Sequence, residues 1–163
     1  MKKIESLADA FHFELQCIYS SEQQLVKLLP KMIKKASCER LSLELTEHLE
    51  QTKLHVERVA SAFADTGKTA KAKKSEGMAG LINEVEETMD RDIDSEVIDA
   101  ILIGLARKLE HYEIASYGVL CTWAEQLGYT NAKELLGRNM NDEEKTDKYL
   151  SELSRDANET AKA

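Results

Sequence analysis

Five acids stand where a helical chain would place apolar side chains. Glu110 and Glu113 lie three apart in KLEHYEIASYGVLCTWAEQL (Lys108–Leu127), so on a helix they share a face. That face runs Ile103, Ala106, Glu110, Glu113, Tyr117, Cys121, Ala124, and its neighbour runs Ile98, Leu102, Leu105, Leu109, Tyr112, Val119, Trp123. A carboxylate inside such a surface is costly unless it gains a proton, a cation or a metal. Glu22 interrupts the stripe Phe11, Leu15, Ile18, Leu25, Leu29, Met32. Glu143 and Asp147 interrupt Leu136, Met140, Leu150, Leu153, Ala157. A row of His48, Gln51 and His55 flanks Leu45, Leu49, Thr52, Val56, Val59, Phe63.

Carboxylates with one or two imidazoles in a bundle core are a donor set for iron or manganese. The candidate ligands are Glu22, Gln51, His55, Glu110, Glu113, Glu143 and Asp147. The di-iron pattern is a Glu from each of two helices and Glu-x-x-His from each of the other two. No Glu-x-x-His occurs here. Gln51 with His55, and Glu143 with Asp147, are four apart and only substitute for it. A proton-sharing acid cluster, or an acid cluster paired with His48 and His55, accounts for the same residues without a metal, and the metal-bound and metal-free readings both stay open. Tyr112, Tyr117 and Trp123 are either electron donors to such a centre or core packing.

Four long helices must position these side chains. The first is expected over Ile4–Lys35, with Ser6 and Asp9 as a capping box and Pro30 kinking its end or starting a new turn. The second is expected over Ser37–Asp65, ending at Gly67. From Lys68 to Asp94 the pattern weakens: Lys68, Lys71, Lys73 and Lys74 form a solvated basic loop, and Met78, Leu81, Ile82, Val85 and Met89 suit a short amphipathic helix. The third long helix is expected over Ser95–Leu127, ending at Gly128. The fourth starts at Thr130 or Asn131, with Glu134 as capping partner of Asn131. Short, long, short connections predict an all-α, ferritin-like antiparallel four-helix bundle whose long crossover carries a short extra helix. Counted from the two short turns, Glu22, Gln51, Glu113 and Glu143 all fall near mid-height.

The 163 residues suit one domain spanning residues 1–163. One Pro, few aromatics and abundant Ala, Leu, Glu and Lys favour helices. A net charge of −8 argues against a nucleic-acid partner and gives no attraction to anionic lipid. The longest apolar run, around Val97–Ala106, contains Asp99 and is too short to span a membrane. Glu5 and Asp9 interrupt any signal-peptide core, and Cys17, Cys38 and Cys121 form no CxxC. A reduced, cytoplasmic protein is expected. No GxxxxGK[ST], GxSxG or HExxH motif is present, so nucleotide cleavage and hydrolysis are not expected. The third helix has more apolar circumference than one core uses, which predicts a homodimer.

The segments YSSEQQL (Tyr19–Leu25), HLEQT (His48–Thr52), EHYEIASYG (Glu110–Gly118), AEQLGY (Ala124–Tyr129) and DEEKTD (Asp142–Asp147) resemble the YciE/YciF-type ferritin-like family of bacterial stress-associated proteins. The resemblance covers nearly the whole chain, and EHYEIASYG is its most specific part. It implies a ferritin-like bundle, often dimeric, with a place for a di-metal site, and it implies no activity. Glu22, Glu110, Glu113 and Glu143 match the family's core acids. Gln51 stands where the family commonly has Glu, and Cys17 where it commonly has Asp. Gln is a neutral, weak ligand for hard cations, so the departure favours a single ion or an empty site over a full di-iron centre. Two functions follow. One is a metal- and peroxide-handling stress protein with a degenerate iron or manganese site; the other is a metal-free helical dimer acting as a structural or interaction protein.

Overall fold

The computed structural model describes residues 3–162. Among them all regular elements are helical: α1 (Leu7–Lys35), α2 (Glu39–Ala62), α3 (Glu76–Met89), α4 (Ser95–Leu127) and α5 (Thr130–Ala161). A 3-10 turn, Phe63–Thr66, follows α2. α1 begins later than the expected Ile4, because Ser6 is its N-cap: the Asp9 amide donates to Ser6 Oγ at 3.1 Å. Pro30 neither ends nor restarts α1. It sits on the exposed side, where water can take the carbonyl that its missing N–H leaves unbonded. α2 begins after Cys38, two residues beyond the expected Ser37, and its tail ends at Gly67, whose φ of +65° is the left-handed conformation that glycine adopts freely.

The turn at 36–38 makes α1 and α2 antiparallel neighbours, and Gly128–Tyr129 does the same for α4 and α5. α2 also packs on α5 and α1 on α4, which closes the four long helices into a bundle. The crossover from α2 to α4 is tied down twice before α3. The Lys73 amide donates to Gln16 O at 3.0 Å, and Lys73 Nζ lies 3.8 Å above the Phe13 ring. Ser75 caps α3 through the Met78 amide, and its Oγ is 2.8 Å from Tyr112 Oη on α4. α3 lies against α1 and α4. Its Met78, Val85 and Met89 join Leu105 and Leu109 in one apolar cluster. The crossover helix therefore covers part of the α4 surface that the sequence left for a second copy.

The core is divided along the bundle. One apolar layer, nearest the α1–α2 turn, is built on Leu25, Met32, Leu41, Leu45, Leu102 and Leu150. The other, nearest the α4–α5 turn, is built on Phe11, Leu15, Val59, Leu120 and Leu136. Between them every long helix turns a polar side chain inward: Glu22 from α1, His48 and His55 from α2, Glu110 and Glu113 from α4, Glu143 from α5. No helix among the described residues is long and apolar enough to cross a membrane.

Candidate metal centre

All six of those side chains are buried, none more than 2% exposed. On α1, Glu22 occupies the position between Ile18 and Leu25 that the helical period reserves for the core. On α2, His48 and His55 are two turns apart and so point the same way. His55 Nδ1 lies 2.9 Å from Glu143 Oε1 and 3.4 Å from Glu22 Oε1. His48 Nε2 lies 3.0 Å from Glu110 Oε1, and His48 Nδ1 lies 3.9 Å from Glu143 Oε2. Two groups of possible ligand atoms result, Glu22–His55–Glu143 and His48–Glu110–Glu143. Glu143 belongs to both and turns a different oxygen to each histidine.

These donors are under-satisfied. Neither oxygen of Glu113 or Glu143 makes a directed hydrogen bond, nor do Glu22 Oε2, Glu110 Oε2, His48 Nδ1 and the two ring nitrogens of His55. Protons compensate part of this. Burial pushes Glu110 up to about 7 and, with the nearby charge of Glu110, pushes Glu143 up to about 8. Burial and then the charges of Glu22, Glu143 and Glu110 hold Glu113 well above the usual carboxylate range. Burial opposes the charge on His55, but Glu22 and Glu143 outweigh it and push His55 up to about 10. Carboxylates plus imidazoles with free lone pairs fit iron or manganese, and the fit rests on these orphaned atoms.

Four of the seven ligands expected from sequence fall in these groups, Glu22, His55, Glu110 and Glu143; Glu113 is buried close to Glu22, Glu143 and Glu110 but belongs to neither group. Gln51 and Asp147 lie outside both groups and are engaged elsewhere. Gln51, half-buried, accepts from Thr146 Oγ1 at 3.4 Å. Asp147 pairs with Arg107 Nε at 2.7 Å and lies 3.3 Å from His111 Nε2. His48, which the sequence reading set only as a counter-charge, joins the second group. Measured on the Glu-x-x-His pattern, α2 carries Thr52 in the Glu place before His55, and α5 carries Thr146 in the His place after Glu143. Both threonines are buried.

Around the acids lies a hydrogen-bonded chain that periodicity did not reveal. Tyr117 donates from Oη to Glu22 Oε1. Its own proton is held tightly, since burial and the Glu22 charge raise the phenol well above its ordinary value. Asn139 Nδ2 donates to Tyr117 Oη at 3.0 Å, and Arg58 Nη1 donates to Asn139 Oδ1 at 3.1 Å. Arg58 also donates to Asp142 Oδ2 at 2.8 Å, and that oxygen is 3.5 Å from His55 Nε2. Partial burial works against the Asp142 charge, but Arg58 and His55 outweigh it and hold the carboxyl below its usual range. Tyr112, by contrast, is taken up by Ser75, and Trp123 packs half-buried in the second apolar layer.

The family described as a domain of unknown function (DUF892) matches residues 6–162. The chain is 42% identical over 155 residues to Protein YciF of Escherichia coli strain K12, covering 94% of this chain and 92% of that protein. The crystal structure of the E. coli stress protein YciF superposes with a TM-score of 0.91 at 39% identity, over 94% of this chain and 98% of the other. YcfI of Rhodopseudomonas palustris, described as a candidate structural protein, superposes with a TM-score of 0.89 at 38% identity, over 92% and 96%. The family match over residues 6–162 and the 42% identity to YciF place the chain in the DUF892 family, alongside YciF.

Proposed function

We propose that the chain is a cytoplasmic, homodimeric stress-response protein, acting as one domain, that holds one or two iron or manganese ions in its mid-bundle layer. The observation that carries this reading is the set of orphaned, buried carboxylate and imidazole atoms on four different helices. Such atoms are costly in an apolar core unless a cation or protons engage them. Glu22, His55 and Glu143 would hold one ion and His48, Glu110 and Glu143 another, with Glu113 as a buried neighbour of Glu22, Glu143 and Glu110. When bound, such an ion supplies electrons and an open coordination position toward peroxide or oxygen. The residues of the chain bind, orient and exclude water: two apolar layers seal the site from both ends of the bundle. The outward-facing Leu43 and Leu54 of α2, 63% and 48% exposed, supply apolar surface for a second copy, and the charge of −8 supports the absence of a nucleic-acid partner.

Elemental analysis of protein purified without chelator tests the metal reading. One to two equivalents of iron or manganese per chain, or uptake after anaerobic addition, is the expected result; none under either condition refutes it. Sedimentation at micromolar concentration should give a dimer, and a monomer there refutes the pairing. The alternative is a metal-free structural protein, favoured by the description of the R. palustris relative. In that case His48 and His55 serve as built-in counter-charges to the acids.

A further inference from the structure

The two groups that share Glu143 are not held alike. Glu22–His55–Glu143 is anchored to the bundle surface by two routes that start from one ion pair. Arg58 and Asp142, 26% and 22% exposed, form that pair at 2.8 Å. From Arg58 the chain runs through Asn139 and Tyr117 to Glu22. Asp142 Oδ2 also lies 3.5 Å from His55 Nε2, the ring nitrogen turned away from Glu22 and Glu143, a charge contact without a directed hydrogen bond. Asn139 is fully buried and engaged at both ends, since its Nδ2 also reaches His55 O at 3.4 Å. Among the described residues, no hydrogen bond from outside the layer reaches the side chain of His48 or Glu110. His48 Nδ1 and Glu110 Oε2 make no hydrogen bond, and His48 Nδ1 has only Glu143 Oε2, 3.9 Å away within the layer.

A carboxylate ligand held by a hydrogen-bond donor is aimed at its ion, and a carboxylate beside the second nitrogen of a histidine ligand favours one orientation of the ring. Preorganised ligands lose little freedom on binding, whereas unsupported ones must first be ordered. The first cation also places positive charge beside Glu143, which disfavours a second one on the same carboxylate. Resting on the metal reading above, we infer that the layer is a pair of unequal divalent-cation sites: Glu22–His55–Glu143 fills first and retains its ion, and His48–Glu110–Glu143 takes a second, exchangeable ion. Arg58, Asn139 and Tyr117 are the positioning residues of the tight site.

Cobalt(II) titration of the full, chelator-stripped chain, followed by calorimetry and by the visible bands of cobalt, tests this. Two steps are expected, with the first tighter by about tenfold or more, the scale on which such supporting contacts act. Arg58→Met should weaken the first step by about 10- to 100-fold and leave the second unchanged. Arg58→Lys should restore most of the loss, and the urea midpoint of Arg58→Met in chelator should match wild type, which separates positioning from misfolding. His48→Gln should remove the second step and spare the first. Two equal steps in wild type, or an Arg58→Met variant that weakens both steps equally, overturns the inequality while leaving metal binding intact. No cobalt bound by the wild-type chain overturns both.

Discussion

Glu113 isolates the cost of the buried layer in one side chain. It is fully buried, neither of its oxygens is hydrogen-bonded, and its carboxyl is held well above its ordinary value. Replacing buried ionic groups by well-packed apolar ones of similar volume is often neutral or stabilising, by up to about 1–4 kcal/mol. Glu113→Leu should therefore raise urea stability in chelator, by about 1–3 kcal/mol on that scale. It should also lower the metal content reached on reconstitution. A loss of stability in chelator would mean that Glu113 has a structural partner and would remove it from the ligand set. Which acids join the layer was only partly legible in the sequence. At about 100° per residue, Asp147 is turned about 40° from Glu143, enough to bring it to Arg107 and His111. Gln51 is turned about 40° from His55, while His48, two turns away, deviates by only about 20° and stays with it. A helical wheel shows these angles, but it does not show on which flank the neighbouring helix stands. Nor could spacing reveal Arg58 and Asn139, because their partners are 81 and 22 residues away along the chain.

Among the elements, α5 shows how a correct helix can start for an unexpected reason. The pair Asn131 and Glu134 reads as a local cap, yet the N-cap is Tyr129 and it makes no side-chain bond. The Ala132 amide instead donates to Asp65 Oδ2 at 2.8 Å, from the 3-10 turn 67 residues earlier. That bond also pins the end of α2 to the start of α5. Asp65→Ala should cost about 1 kcal/mol, the usual worth of an N-cap. Asn131→Ala, at an exposed position, should change stability by less than about 0.5 kcal/mol. Equal costs in urea unfolding would restore the local cap. The crossover was the least legible element, because its anchor is the complementarity of two residues rather than a period. A Cβ on Gly77 would sit 3.0 Å from Tyr112 Cε2 and 3.1 Å from Tyr112 Oη. Gly77→Ala gains up to about 1 kcal/mol of helix propensity, but crowding of this kind costs about 1–3 kcal/mol. It should thus destabilise the wild-type chain and stabilise a Tyr112→Leu background. A double-mutant cycle with no coupling between the two positions would show that α3 is not seated on Tyr112.

For the whole molecule, the order of connections was enough to predict the bundle, since two short turns leave adjacent helices no choice but to run antiparallel. Mid-height counting likewise placed Glu22, Gln51, Glu113 and Glu143 at one level; the structure buries the three acids close to one another, while Gln51 is half-buried against Thr146. The division of the core into two apolar layers around a titratable one has a consequence for the bundle as a unit. In chelator, Glu110 and Glu143 in the folded chain titrate at about 7 and about 8, against 4.5 when unfolded. Between these values the folded state holds protons that the unfolded state has released, so stability falls as pH rises. Their contribution is complete below pH 4.5 and lost as pH passes through 7 to 8. His55 acts in the same direction: its stabilisation is present below 6.5 and lost as pH rises through about 10. Each fully buried group adds a slope of up to about 1.4 kcal/mol per pH unit within its window. The metal-free chain should therefore have a lower urea midpoint at pH 8.5 than at pH 5.5. Cations compete with those same protons, so saturating manganese should stabilise the bundle more at pH 8.5 than at pH 5.5 and offset the fall. A metal-free midpoint that rises between pH 5.5 and 8.5 would mean that the layer is ionised throughout. A manganese effect independent of pH would place the ion outside this layer.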